Sequence, residues 1–173
     1  MRCKMSWVGN FGFSYIGLLY LLMLWVPNYV WARHKPEGYD PAGESKFLMA
    51  FERVGQVLCT ASIVLFTDYN PHTIEPWTAW FIVSAASMVL YEIFWLRYFR
   101  SKRTAYDFYR PFLGVPAPGA TLPVLAFLLL GIYGKVIWLI TSSVFLGIGH
   151  VGIHIQHIRN HVLSRDDCIG GRP

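Results

Sequence analysis

The chain has 173 residues, of which 54% are hydrophobic and 17% aromatic, whereas charged residues make up only 14%. This composition, with a mean hydropathy of +0.38, excludes an ordinary soluble domain and indicates an integral protein of the cell membrane. The formal net charge of +5 fits loops that contact anionic lipid, and no nucleic-acid partner is expected. We predict a single transmembrane domain over residues 1–173.

Five apolar segments, each of about the 20 residues that a spanning helix needs, follow one another along the chain. They are Phe11 to Trp31, Phe47 to Phe66, Trp77 to Leu96, Phe112 to Tyr133 and Val136 to Ile158. We therefore predict an all-α fold, a polytopic membrane helix bundle with five transmembrane helices. The first segment is longer than the apolar part of a signal peptide and lacks a cleavage site, so we expect it to remain in the mature protein.

Lys and Arg are concentrated in alternate loops, which predicts the orientation because cytoplasmic loops carry the excess of positive charge. The loop between the third and fourth segments is the most basic, whereas the loop between the second and third contains no Lys or Arg. This pattern predicts a multi-pass protein with the N-terminus outside and the C-terminal Pro173 in the cytoplasm.

The fourth segment is interrupted near its start. Its first part, FLGVPAPGATLP, contains three prolines and two glycines, which cannot form a continuous helix. The remainder, Thr121 to Tyr133, is only about 20 Å long as a helix, shorter than the bilayer core. The proline-rich part is then either a re-entrant or extended stretch, or an ordinary loop before a short tilted helix. Thr121 is a candidate N-cap, and a helix start there favours a small anionic group.

Charged residues and histidines inside the segments are few, and the predicted orientation places all of them in the inner half of the bilayer. They are Glu52, Arg53, Glu92, His150, His154 and His157. An ionisable group in hydrocarbon is expensive unless it has a partner, so such residues mark functional sites. We predict that these groups face one another and form a polar cavity that opens toward the cytoplasm.

The fifth segment carries its histidines on one face, because steps of three and four residues return to the same side of an α-helix. The stripe consists of Ser143, Gly147, His150, His154, His157 and His161. Its small residues would let another helix approach closely. On the second segment, Gln56 falls on the same side as Glu52.

Two histidines one turn apart can bind one small cation from a single helix face, and a carboxylate from another helix can complete the set. The predicted metal ligands are His150, His154, Glu92 and Glu52, and the donor types suit Zn²⁺, Fe²⁺ or Mn²⁺. The pattern H-x-x-x-H lacks the Glu of the metalloprotease motif. Haem fits less well, because two histidines on one stripe cannot be opposite axial ligands. The expected cavity wall adds Arg53, Gln56, Tyr91, His157 and Thr121.

Each of these residues also has a purely structural interpretation. Arg53 can extend to the headgroups, and Glu52 can pair with a cation of a loop. His157 and His161 lie near the bilayer edge, where histidine is an ordinary interfacial residue. A hydrogen bond to Glu92 or Tyr91 would satisfy His150 without any further role.

Several stretches along the chain, among them FERVGQVL, YEIFWLRYF and GIGHVGIHIQH, resemble an uncharacterised family of small polytopic bacterial integral membrane proteins. The resemblance implies a location in the membrane and no activity.

Three functions stay open from the sequence alone. The first is a metal-binding membrane protein, including a metal-dependent enzyme that acts on a lipid-soluble or small anionic substrate. The second is a small proton- or ion-coupled transporter or carrier. The third is an assembly subunit whose polar groups only hold helices together. Membrane lipids are expected partners in each case, and a homo-oligomer remains open.

Overall fold

The computed structural model describes residues 7–36, 39, 43–71 and 73–170, with side chains as far as Asn160. Pro173 lies outside the described residues. The described part contains six α-helices: α1 (Tyr15–Arg33), α2 (Lys46–Val64), α3 (Ala79–Phe99), α4 (Ala105–Tyr109), α5 (Pro118–Gly134) and α6 (Ile137–Gly170). Two short 3₁₀ turns lie between α2 and α3, at Thr67–Tyr69 and Pro76–Thr78. The predicted all-α helix bundle is confirmed.

Four of the helices are long and apolar enough to cross a membrane: α1, α2, α3 with the 3₁₀ turn before it, and α6 as far as Asn160. This supports the prediction of a multi-pass membrane protein. The remaining apolar helix, α5, has 17 residues, which corresponds to roughly 25 Å. Its crossing of the bilayer stays a prediction.

The start of α5 differs from the expectation for Thr121. Phe112 and Val115 exchange two backbone hydrogen bonds of 3.1 and 2.9 Å, and Gly114 between them has φ +79°, as in a tight hairpin turn. The helix then begins at Pro118, a residue suited to the first helical position. The Thr121 hydroxyl lies inside the helix and donates to the Pro116 carbonyl at 2.8 Å. The prediction that Thr121 is the N-cap was therefore wrong.

Helices α2 and α6 form the closest helix pair, and glycines on both helices leave room for the two backbones to approach. A Cβ atom on Gly149 would overlap the backbone of Glu52, and one on Gly55 would overlap the backbone of Leu146. The small residues named from the sequence also lie at helix contacts: Ser143 Oγ is 3.9 Å from Cys59 Sγ of α2, and Gly147 faces Val124 of α5. Glycine is required between α2 and α6 because two helix backbones meet without room for a side chain. This contact places Glu52 directly against α6.

We expect Gly149→Ala to destabilise the protein by roughly 1–3 kcal/mol, because the added methyl group pushes α2 away from α6. Thermal unfolding in detergent measures the effect. Gly147→Ala is the matched control, since its Cβ would meet only the Val124 side chain, at 3.1 Å from Cγ1. Equal stability of the two variants would contradict the close packing.

A second pair, α3 and α5, supports the other side of the bundle, and α1 joins it through polar contacts. Ser84 of α3 donates to the Ala126 carbonyl of α5 at 2.7 Å, and Tyr20 of α1 hydrogen-bonds Ser84 at 3.1 Å. Nearer the basic end, the Asn28 amide donates to the Tyr91 hydroxyl at 2.6 Å. The ends of α1, α2, α3 and α6 on the side of Glu52 line a common space.

Candidate functional site

A carboxylate–histidine pair joins α2 to α6 at the level of the glycine contact. His150 Nδ1 lies 2.5 Å from Glu52 Oε1, a distance at which an imidazole N–H donates to a carboxylate. Both side chains are largely shielded, with 25% and 20% of their surfaces exposed. His150 follows Gly149, so the close approach of the two backbones brings these side chains together.

A second pair of the same kind lies about two turns further along α6. His157 Nε2 is 2.9 Å from Oε1 of Glu44, which precedes α2 in the chain. Gln156 fixes this segment to α6, because its amide donates to the Gly43 carbonyl at 2.7 Å and its Oε1 accepts from the Ser45 backbone N–H at 3.3 Å. The position of Glu44 is therefore determined by contacts on both sides of it.

His154 lies between the two pairs on the same face of α6. Its ring centroid is 4.7 Å from that of His150. Phe108 and Tyr109 of the short helix α4 pack against it, with centroid distances of 5.6 and 5.7 Å, and Tyr109 also stacks on His157. Among the described side chains, the ion pairs of α6 involve His150 and His157 only, so His154 is the histidine without a carboxylate.

These groups line one cavity of about 300 Å³. Its polar wall consists of Asn28, Glu44, Glu52, Gln56, His150, His154 and His157. Its aromatic wall consists of Trp31, Tyr39, Trp95, Phe108 and Tyr109. A cavity of this size with a few converging polar groups has the form of a small-molecule binding site.

Two tyrosines outside the membrane-spanning helices border the cavity and remain protonated. Burial and the neighbouring Glu44 carboxylate raise the pKa of Tyr39 to about 12. Burial, together with Tyr39 and Glu44, also raises the pKa of Tyr109. Because an unperturbed Tyr titrates near pH 10, both phenols are hydrogen-bond donors at neutral pH, and Tyr39 donates to Glu44 Oε1 at 3.5 Å.

A larger, mainly apolar cleft adjoins this cavity toward the middle of the bundle. Its volume is about 590 Å³, and it shares Asn28, Gln56 and His150 with the wall of the polar cavity. The rest of its wall includes Leu24, Trp25, Val57, Ala61, Phe127 and Leu146.

The structure brings together five of the residues predicted from the sequence: Glu52, Gln56, His150, His154 and His157. It leaves four outside the cavity wall: Glu92, Tyr91, Arg53 and Thr121. Tyr91 is directed toward Asn28 of α1, and Arg53 is exposed. The side chain of His161 lies outside the described part.

Glu92 requires a correction in particular, because it was expected among the metal ligands. It lies on α3, which packs against α5, whereas the histidines lie on the α2–α6 pair. One carboxylate oxygen of Glu92 is buried and accepts no hydrogen bond from the described residues. In the described part of the chain, no three His, Cys, Asp or Glu side chains are grouped to hold one metal ion. The four-ligand set is therefore not assembled around Glu92.

Comparison with known proteins identified no relative of this chain. No protein-family model, curated protein or solved structure matches the chain. The resemblance to small bacterial membrane proteins stays a prediction.

Sequence analysis missed Glu44 and the whole aromatic wall. Glu44 precedes α2 and its N-cap Ser45, so the helical period that marks Glu52 does not reach it. The aromatic residues of α4 carry no such signal, because a helix of five residues is too short to show a period. Their position depends on tertiary contacts, such as the stacking of Phe108 on Trp31 at 5.2 Å.

Proposed function

We propose that this chain is a proton-coupled membrane carrier and that the cavity between α2 and α6 binds its substrate and its proton. One observation supports this most strongly: two carboxylate–imidazole pairs line the same cavity, with a third histidine between them. Ionisable groups inside spanning helices are costly, and pairs of this kind recur in proton relays of transporters.

The pairs provide imidazole and carboxylate groups, which a proton-coupled carrier requires. Imidazole is the side chain whose charge ordinarily changes between about pH 5 and 8. A carboxylate next to it stabilises the protonated ring, and a substrate that takes over the carboxylate removes this stabilisation. A substrate that binds at Glu44 or Glu52 breaks the contact of that carboxylate with His157 or His150, and the proposed proton exchange occurs at this step. The neutral His154 ring lies between the two pairs and has one nitrogen that donates a hydrogen bond and one that accepts.

The same proposal places the cavity on the cytoplasmic side. Among the described residues, Lys135 is the one basic side chain at the far end, next to Trp77, and the other Lys and Arg residues lie toward the cavity end. The positive-inside rule assigns the basic end to the cytoplasm. The N-terminus is then outside and the C-terminus inside, as the sequence predicts.

Proteoliposomes that contain a pH-sensitive dye test the proposal. The purified protein is exposed to a panel of solutes that includes organic cations, carboxylates, sugars and amino acids. We expect at least one class to change the internal pH, and Glu52→Gln to abolish the signal. Glu92→Gln is the matched control and should keep it, since Glu92 lies outside the cavity wall. A panel without any protein-dependent pH change would overturn the proposal.

A bound divalent metal is the second candidate, favoured by the 4.7 Å separation of the His150 and His154 rings with Glu52 beside them. His150 and His154 offer two of the nitrogen donors that Zn²⁺, Fe²⁺ or Mn²⁺ accept. Because the described residues group no three such ligands, water or a substrate would have to supply the remaining ones. Metal analysis of the purified protein separates the candidates. One metal ion per chain that is lost in His154→Ala would favour a metal-binding protein over the carrier.

A further inference from the structure

The apolar cleft beside the polar cavity indicates what kind of substrate the site takes. We infer that the substrate is an amphipathic organic amine, with a cationic headgroup in the polar cavity and an apolar tail in the cleft. This inference rests on the proposed carrier function for its direction of transport and not for its binding chemistry.

The charges and aromatic rings of the polar cavity favour a cationic headgroup. Two carboxylates, Glu44 and Glu52, belong to the wall, and its described residues include no Lys or Arg. Aromatic faces attract organic cations through their quadrupole, and several rings together with a carboxylate form the usual site for a substituted ammonium group. Trp31, Trp95 and Phe108 are the aromatic residues of the wall that can contact such a group. An anionic headgroup would instead meet two like charges.

The position of the cleft favours an apolar tail on the same molecule. Since Asn28, Gln56 and His150 belong to both walls, a molecule that fills both spaces passes from polar to apolar surroundings at these three residues. Beyond them the wall is formed mainly by apolar side chains such as Leu24 and Phe127. A volume of about 590 Å³ lies within the range of roughly 300–1,000 Å³ typical of ligand pockets.

The cleft also has an entrance from the lipid. At their outer ends α1 and α2 touch, because Gly17 packs directly on the Ile63 carbonyl. Further inward the cleft separates the two helices, and its residues Trp25 and Val57 are 51% and 69% exposed on the surface of the bundle. This surface faces hydrocarbon in a membrane. An amphiphile dissolved in the bilayer can therefore enter sideways between α1 and α2.

A quaternary ammonium group that binds next to the carboxylates brings one positive charge into the polar cavity. Proton exchange belongs to the proposed carrier function and is measured separately, as the protons released on binding. The titratable groups that face the cavity from the surrounding elements are Tyr39, Glu44, Glu52, Tyr109, His150, His154 and His157.

Binding of radiolabelled dodecyltrimethylammonium to the full chain in nanodiscs tests the inference. The probe has a fixed charge, so any proton released comes from the protein. We expect saturable binding of one probe per chain, weak competition by tetramethylammonium and no displacement by laurate. Ala61→Trp, which fills the cleft, should weaken binding at least about tenfold, or about 1.4 kcal/mol. Ala86→Trp on the exposed face of α3 should leave it unchanged.

Several outcomes would overturn the inference: binding that does not saturate, displacement by laurate, or equal affinity for tetramethylammonium. If Ala61→Trp fails to fold, Val57→Trp fills the same cleft and serves as the second variant. The experiment distinguishes failure of the carrier function from failure of the proposed substrate class. Saturable binding of the probe without proton release would support the substrate class and overturn the carrier, whereas proton exchange driven by another solute class would do the reverse.

Discussion

Glu52→Gln is expected to weaken binding of dodecyltrimethylammonium by about ten- to a hundredfold. Hydrogen bonds and close contacts to charged groups contribute roughly 1.5–3 kcal/mol, and a factor of ten corresponds to about 1.4 kcal/mol. The substitution keeps the shape of the side chain but removes the charge that faces both His150 and the headgroup. Binding in nanodiscs measures the change.

Three further variants serve as comparisons for the affinity of Glu52→Gln. Glu44→Gln should also weaken binding, because Glu44 provides the second carboxylate of the cavity. Glu52→Asp keeps the charge on a shorter side chain and should retain part of the affinity. Glu92→Gln should bind as the unmodified chain does. Full affinity in Glu52→Gln would mean that the headgroup does not lie in this cavity.

His154→Phe is expected to slow transport by about a hundredfold or more while changing binding less than about tenfold. The phenyl ring keeps the contacts with Phe108 and Tyr109, so the wall retains its shape, but it cannot carry a proton. Proton transfer by a positioned side chain typically contributes a factor of about 10² to 10⁴. Initial rates in proteoliposomes and binding in nanodiscs give the two quantities separately.

The contrast between rate and binding distinguishes a proton-carrying histidine from a structural one. A merely structural role would alter affinity and thermal stability together with the rate. His154→Gln retains polarity without an imidazole, so it should be as slow as His154→Phe. Unchanged rates in both variants would remove His154 from the relay and leave two independent pairs.

The helices and half of the cavity could be predicted from the sequence because both follow local rules. Apolar length predicts the spanning helices, and the period of the helix places His150, His154 and His157 on one face. Glu52 was predictable because it is a charged residue at the same depth. Depth does not specify which neighbour a helix faces, however, and this is why Glu92 was wrongly grouped with the histidines.

The remaining features depend on packing that a single sequence does not reveal. Gly149 and Gly55 look like ordinary helix glycines until the α2–α6 contact shows that no side chain fits there. Phe108 and Tyr109 lie in a loop by their composition, and only the fold turns them into a wall of the cavity. The start of α5 at Pro118 depends on the tight turn before it, so Thr121 was misassigned.

Calorimetry of ligand binding at one pH, in two buffers with different ionisation enthalpies, shows whether binding at the polar cavity releases a proton. The ligand is dodecyltrimethylammonium or the solute with the largest pH change in proteoliposomes. The difference between the two binding enthalpies, divided by the difference between the ionisation enthalpies of the buffers, gives the number of protons released per ligand. We expect a value close to one for the unmodified chain and a clearly smaller value for Glu52→Gln. Saturable binding with the same enthalpy in both buffers would contradict proton coupling at the Glu/His cavity.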